Sequence, residues 1–281
     1  MKRNNFYSTA FMAGGLGNQL FEISHAFAQG WKGNANPVLC LDYLCKSQHH
    51  KKADEHLENI FKRLPVVQSI NDFTIENENE SWLETLEPEW NSSIVFSGHF
   101  QSSKHFHGYD KQIQELFLPD ENDIKEILKK YPKILNPGTA SIHVRRGDYL
   151  LSNGVLPVLG LDYYEKAIEE LGKYENLYVF SDDMDWCYEN FKWPNITWVI
   201  ENKSYFDLWA MSLCNHNIIP NSSFAWWASF LNLHDDKKVI APSEWFGKYW
   251  EHKCMIHEET WKLINVESHG SYFKVVNNFS N

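Results

Sequence analysis

Cysteine is scarce in this chain: five residues in 281, at Cys40, Cys45, Cys187, Cys214 and Cys254, with no Cys-x-x-Cys pair. An odd, scattered set argues against a disulfide framework and against a zinc knuckle, and it fits a reducing cytosol. Long apolar runs are missing as well, since no stretch approaches the roughly 20 apolar residues needed to cross a bilayer. Residues 1–13 place Lys2 and Arg3 ahead of FYSTAFMA, the outline of a signal peptide. That run is short, is interrupted by Ser8 and Thr9, and leads straight into a glycine motif, so it reads as a first strand. Positive charge is in deficit: 26 Lys and Arg stand against 37 Asp and Glu, a formal net charge of −11 that argues against a sequence-independent nucleic-acid binder. Any polyanionic ligand must therefore be met by a local cluster of cations. Two nucleotide-loop signatures are also lacking. GGLGNQ at 14–19 is not Gly-x-Gly-x-x-Gly, because Asn18 and Gln19 follow the last glycine, and it has no Lys-Ser/Thr pair to make a P-loop, which removes a P-loop kinase or hydrolase.

What the chain has is apolar and aromatic mass. Hydrophobic residues make up 43% and aromatics 15%, with twelve Trp, so a sizeable core is expected and the composition argues against disorder. FYSTAFMA, GGLGNQ and LFEISHAFAQGW form a strand, a glycine turn and a helix in succession; PVLCLDY reads as a second strand. The polar stretch 51–91 is expected to be helix with exposed loop, and HHKK at 49–52 a solvated turn. SSIVFSGHF is another strand, and PDENDIKEILKKYP a helix with acids in its first turn, lysines at its end and a proline stop. Asn-Pro-Gly at 136–138 marks the expected domain junction, giving domains 1–136 and 137–281. Beyond it strands (SIHVRR, NLYVFSDD, ITWVI, HNII and a final KKVIAP) alternate with helices (LDYYEKAIEELGKY capped by Asp162, MDWCYENF, SYFDLWAMSLC, FAWWASFLN). That alternation predicts an α/β fold of parallel sheets with right-handed crossovers.

Ligands of open parallel sheets bind outside the carboxyl ends of strands, and four polar features fall at such ends. In SIHVRRGD the period of two puts His143 and Arg145 on one face and Arg146 on the other. Adjacent guanidiniums at a strand end call for an anion, and the planar fork of Arg suits phosphate; the alternative is a surface arginine pair with Asp148 as its salt-bridge partner. Gly15 and Gly17 in the glycine turn let a ligand approach the backbone at a helix start, or the turn is simply capped by Asn18. Asp182 and Asp183 in FSDDMDW can accept hydrogen bonds from a base or ribose, while Asp183 can equally cap the next helix. Asn221, Ser222 and Ser223 can offer hydroxyls and amides to phosphate, or Ser223 can serve as a cap. Trp226 and Trp227 read as core. His99, His105 and His107 lack carboxylate or Cys companions at ligand spacing, so a metal site is not expected.

GGLGNQLFE, FSGHFQSSKHF, HVRRGDY, FSDDMDW and NSSFAWWASFLN, in this order over about residues 10–232, resemble the α-1,2-fucosyltransferase family of inverting glycosyltransferases. The combination with SSFAWW is more selective than the arginine motif, which α-1,6- and protein O-fucosyltransferases share. Pro220 stands where the family usually has Ser, and His99 where it usually has Tyr. The resemblance implies a GT-B-like architecture, two Rossmann-like domains facing across a cleft, with the C-terminal tail returning to the N-terminal domain. It implies GDP-β-L-fucose as donor, the 2-hydroxyl of a galactose-terminated oligosaccharide as acceptor, and no metal or other cofactor. Arg145 would contact the diphosphate, supported by His143 and Arg146. Inversion also calls for a base at the acceptor hydroxyl, for which Asp148 fits the motif, although its position after RRG suits bracing the arginines better. Ser222 and Ser223 would hold the diphosphate from the other side, Asp182 or Asp183 would read guanine or ribose, Asn18 would face the reacting centre, and His99 and Gln101 would lie on the acceptor side. Cytosolic action, peripheral to the inner membrane, is expected. The competing classes are another GDP-sugar transferase, of α-1,6 or protein O-fucosyl type, and a non-catalytic nucleotide-sugar or glycan binder.

Overall fold

A computed structural model describes residues 5–44, 56–78, 88–200, 202–248 and 255–276; the 49–52 turn, Cys45 and Cys254 lie outside them. The chain divides into two compact units, Met1–Leu118 and Pro119–Asn281.

In the first unit β1 (Tyr7–Ala10) leads through the glycine turn into α1 (Leu16–Lys32). Nearly every residue of α1 from Leu16 to Gly30 is buried, because its Leu, Ile, Phe and Ala side chains leave no fully polar face. Strands β2 (Asn36–Pro37), β5 (Phe73–Asn77) and β6 (Ser93–Ser97) join β1 in the parallel order β2-β1-β6-β5, and β3 (Leu39–Cys40) and β4 (Val66–Val67) form a small parallel pair. The expected PVLCLDY strand is thus two short strands and a 3-10 turn. β5 corrects the expectation of helix and loop. It is a mostly exposed edge strand, so it carries no buried alternation to read. Ala10, Ala26, Ile94, Phe96 and Phe100 pack together over this sheet. A short helix, α2 (Asp110–Phe117), ends the unit.

The second unit opens with α3 (Glu121–Lys130), whose Asp120–Asp123 capping box satisfies its first amides. Six parallel strands follow in the order β10 (Ile196–Trp198), β9 (Asn176–Ser181), β7 (Thr139–Val144), β11 (His216–Ile218), β12 (Val239–Pro242) and β13 (Lys262–Ile264). β7 is central and every one of its residues is buried, as befits a strand covered on both faces. The helices between strands are α4 (Leu161–Leu171), α5 (Met184–Asn190), α6 (Ser204–Leu213) and α7 (Ser223–Leu231). The inner faces of α4 and α5 and the strands share one core, built around Ile142, Val144, Tyr164, Leu177, Val179 and Ile218.

Three expectations are corrected here. The chain divides at 118/119 rather than 136/137, because Tyr131, just past α3, accepts a hydrogen bond from Asn202 (3.0 Å) and packs edge-on to Tyr178, tying α3 to the second sheet. The glycine of Asn-Pro-Gly serves a turn inside the unit, with φ +77° at Gly138. KKVIAP is not the last strand. β13 extends the six-stranded sheet, and β14 (Val266–His269) pairs with β15 (Tyr272–Val275), which in turn pairs with β8 (Val158–Leu159). Strands of two to four residues are too short for alternation to reveal them. Asp162 does not cap α4; Gly160 holds that position, and Asp162 accepts a hydrogen bond from the Val275 amide instead (3.0 Å). Among the described residues no helix is long and apolar enough to cross a membrane.

Candidate active site

The carboxyl end of β7 carries a cluster of charged side chains. Arg145 reaches Asp148 (Nη2 to Oδ1, 2.7 Å) and Asp182 (Nη1 to Oδ2, 3.0 Å), while Arg146 holds Asp183 through Nε (2.8 Å). Arg146 therefore does not pair with Asp148; its backbone amide donates to Asp182 (2.9 Å) and its guanidinium lies 4.5 Å over the Trp186 ring. This stacking leaves the Arg146 side chain 13% exposed against 33% for Arg145, so Arg145 is the guanidinium a ligand can reach. Gly147 lets the loop pass close to the acids, because a Cβ there would sit 2.7 Å from Asp182. Asp183 also caps α5 through the Trp186 amide (3.2 Å), and Arg146 holds its carboxyl below the ordinary range. The acids expected to read a base or ribose thus already serve the arginines and the helix start.

His143 points into the apolar interior beside Phe224, at 5.4 Å between ring centres, and burial pushes its pKa down to about 3. It stays neutral and adds no positive charge to the cluster. Its Nδ1 is buried without a partner among the described residues. Beneath Arg145 lies the Tyr149 ring, 5.3 Å away, whose hydroxyl donates to the Asn221 carbonyl (2.8 Å). The turn at 221–223 is corrected in two ways. Asn221 is wholly buried, and its amide donates to the carbonyls of Pro157 (3.1 Å) and Trp245 (3.0 Å), so its side chain braces the turn rather than meeting a ligand. Ser222, not Ser223, occupies the cap position of α7, and its side chain makes no capping bond. Trp226 and Trp227 are fully buried, as expected of core.

The first unit gathers a second polar group at the glycine turn. Gly14 adopts φ +72°, and a Cβ there would lie 2.5 Å from Asn18 Nδ2. Gly15 occupies the cap position of α1, so Asn18 stands in the first turn instead of capping it; its Oδ1 accepts from Gln101 Nε2 (2.9 Å). Gly15 has open space beside it, whereas Gly17 is buried. One turn further along α1, the buried Glu22 accepts from the Ala13 amide (2.8 Å) and lies 3.1 Å from His99 Nδ1; burial raises its pKa to about 7. Glu78 accepts from the amides of His99 (2.9 Å) and Phe100 (2.8 Å). Sequence reasoning missed Glu22 and Glu78. Glu22 had a signal, for Asn18 and Glu22 stand four apart on one helix face and a carboxylate inside LFEISHAFA has no other reason to be there. Glu78, in a polar stretch, had none. His105 is buried and His107 exposed beside Asp110, and no cluster of metal ligands occurs among the described residues.

The family model of glycosyl transferase family 11 matches residues 53–265. An α-1,2-colitosyltransferase of Escherichia coli is 29% identical over 273 residues, covering 85% of this chain and 92% of its own. Galactoside alpha-(1,2)-fucosyltransferase 2 of Gorilla gorilla gorilla is 29% identical over 248 residues, covering 79% of this chain and 68% of its own. Among solved structures, the NodZ α-1,6-fucosyltransferase soaked with GDP-fucose superposes with a TM-score of 0.51 over 82% of this chain and 93% of its own, at 14% identity. At that identity the likeness is one of fold, and it agrees with the α/β, GT-B-like class of two parallel-sheet units.

Proposed function

The chain belongs to glycosyl transferase family 11, and on that premise we propose that it transfers L-fucose from GDP-β-L-fucose, with inversion, to the 2-hydroxyl of a terminal galactoside. The observation that carries this reading is Arg145, the accessible guanidinium at the end of the central strand of an acidic chain. Its role is to take up charge as the donor breaks. Glycosyl transfer passes through an oxocarbenium-like state in which the sugar–oxygen bond lengthens and the diphosphate gains negative charge. A guanidinium held by Asp182 and seated on Tyr149 is oriented in advance for that charge. Support for the donor class comes from the NodZ structure soaked with GDP-fucose and for the acceptor from the galactoside relative. The colitosyltransferase likeness favours one variant, in which the donor sugar is L-colitose. Incubation with GDP-fucose or GDP-colitose and a panel of β-galactosides, read by product mass and linkage, tests the reading; no transfer, or a linkage other than α-1,2, overturns it.

The cluster holds two guanidiniums and three carboxylates, so an incoming diphosphate must displace an acid. Asp148 is the acid to move, being 64% exposed against 26% for Asp182. Exposed pairs of this kind contribute up to about 1 kcal/mol. Asp148→Asn is therefore expected to tighten GDP binding by up to about fivefold in calorimetry; weaker binding would make Asp148 a positioning residue for Arg145. With arginine meeting the diphosphate, transfer is expected to proceed unchanged in EDTA. Loss of activity in chelator, restored by Mn²⁺, would assign phosphate binding to a metal held by the acids. The reading extends to a cytosolic enzyme working peripherally at the membrane where glycan precursors are assembled. The buried thiols Cys40, Cys187 and Cys214 fit a reducing compartment.

A further inference from the structure

We propose that His99 is the catalytic base that takes the proton of the acceptor hydroxyl, with Glu22 as its positioning residue. The inference rests on the transferase reading above and names the one role that reading leaves without a residue. His99 Nδ1 lies 3.1 Å from Oε1 of the buried Glu22, while the His99 side chain is 47% exposed. When Nδ1–H donates to the carboxylate, the lone pair stands on Nε2, for which no partner occurs among the described residues. The backbone is built to present this ring. Glu78 accepts from the amides of both His99 and Phe100, and the flanking residues take uncommon conformations, φ +153° at Gly98 and φ +48° at Phe100. A non-glycine residue in the left-handed region costs free energy and persists where the surroundings over-determine it, often at functional sites. A side chain at Gly98 would also collide with Glu78, 2.3 Å from its Cβ. Nearby, Gln101 is fastened to Asn18 (2.9 Å), which supplies polar groups for a sugar beside the ring.

The step balances. The acceptor oxygen forms its bond to the anomeric carbon as the carbon–oxygen bond to the diphosphate breaks, and that electron pair leaves with GDP. The hydroxyl proton passes to Nε2, and the resulting imidazolium is stabilised by the Glu22 carboxylate. Around the pair the other ionisable groups are Glu78, His105 (3.9 Å from Glu78) and His25, whose ring lies 5.3 Å from that of His105. Burial holds His25 and His105 neutral, the latter pushed down to about 4, so the charge that faces His99 is carried by Glu22 and Glu78. The hydrogen bond to Glu22 raises the pKa of His99, and burial raises that of Glu22 to about 7, so the two share a proton. The base is free only after that proton leaves, and the ionisation belongs to the pair.

The test is the pH profile of kcat/KM with GDP-fucose and a β-galactoside. The wild type is expected to rise with pH through one ionisation, that of the His99–Glu22 pair. Glu22→Gln removes the group that raises His99, so the rising limb should move to lower pH and its plateau fall. His99→Ala should lose the limb and about 10²-fold in kcat, keep its affinity for GDP, and recover activity when imidazole is added. A merely structural His99 would not be rescued by imidazole. A His99→Ala protein that binds GDP and keeps the wild-type profile overturns the assignment while leaving the transferase reading intact. A wild type that transfers no sugar from GDP-fucose or GDP-colitose overturns both.

Discussion

Arg145→Ala is expected to lower kcat by about 10²–10³-fold while the protein stays folded. The magnitude follows from removing a preoriented donor at the point where negative charge develops. The fold should survive because the Arg145 side chain is one-third exposed and its two carboxylate partners are exposed or partly so. Surface pairs of this kind contribute about 0–1 kcal/mol, which in a chain of this size shifts Tm by only a few degrees. The loss of Arg145 also leaves Asp148 and Asp182 without their cation, so GDP affinity should fall together with kcat. Arg145→Lys separates charge from geometry. A lysine restores the positive charge but not the fork that spans Asp148 and Asp182, so its rate should lie between those of the wild type and the alanine variant. Steady-state kinetics with circular dichroism on the same samples checks this series, and a folded Arg145→Ala that transfers at the wild-type rate refutes the role.

The largest expected loss of stability is at Trp226. Its side chain is fully buried in α7, its indole N–H donates to the Ile256 carbonyl (2.7 Å), and its ring stacks on Phe230 at 5.1 Å with Trp227 edge-on at 5.2 Å. Trp226→Ala removes the ring contacts, opens a cavity and leaves a buried carbonyl unpaired. Losses of this kind cost about 3–5 kcal/mol. A thermal melt should fall by on the order of 10 °C. Trp226→Phe keeps most of the ring and loses mainly the hydrogen bond, so it should cost about 1–3 kcal/mol. The same pair of variants discriminates core from ligand surface: a sugar-stacking tryptophan would give up transfer with little change in the melt, the reverse of what burial dictates here.

Much of this molecule was legible from residues near one another in the chain. The order of strands and helices in the second unit follows from short β-branched runs ending in acids, arginines or turn residues. The identification of Arg145, Asp182 and the serine turn as strand-end groups came from the same local pattern. The capping of α5 by Asp183 was open to the sequence too, because a cap and the amide it accepts from are only three residues apart. Where an element was too short or too exposed to show a period, as in β5 and β13 to β15, the sequence was silent. It also misplaced the division between units, since nothing local says that α3 packs forward onto Tyr178 and Phe206 rather than back.

The sequence by itself determined the parallel α/β architecture, the family and the presence of an arginine cluster, because periodicity, turn chemistry and motif order are properties of neighbouring residues. Only the tertiary structure decided which acid holds which arginine, that Asn221 is a buried brace, and that Glu22 meets a histidine 77 residues away. Pairing and burial depend on where distant segments of the backbone come to rest, and the ionisation of Glu22 and His99 depends in turn on that burial.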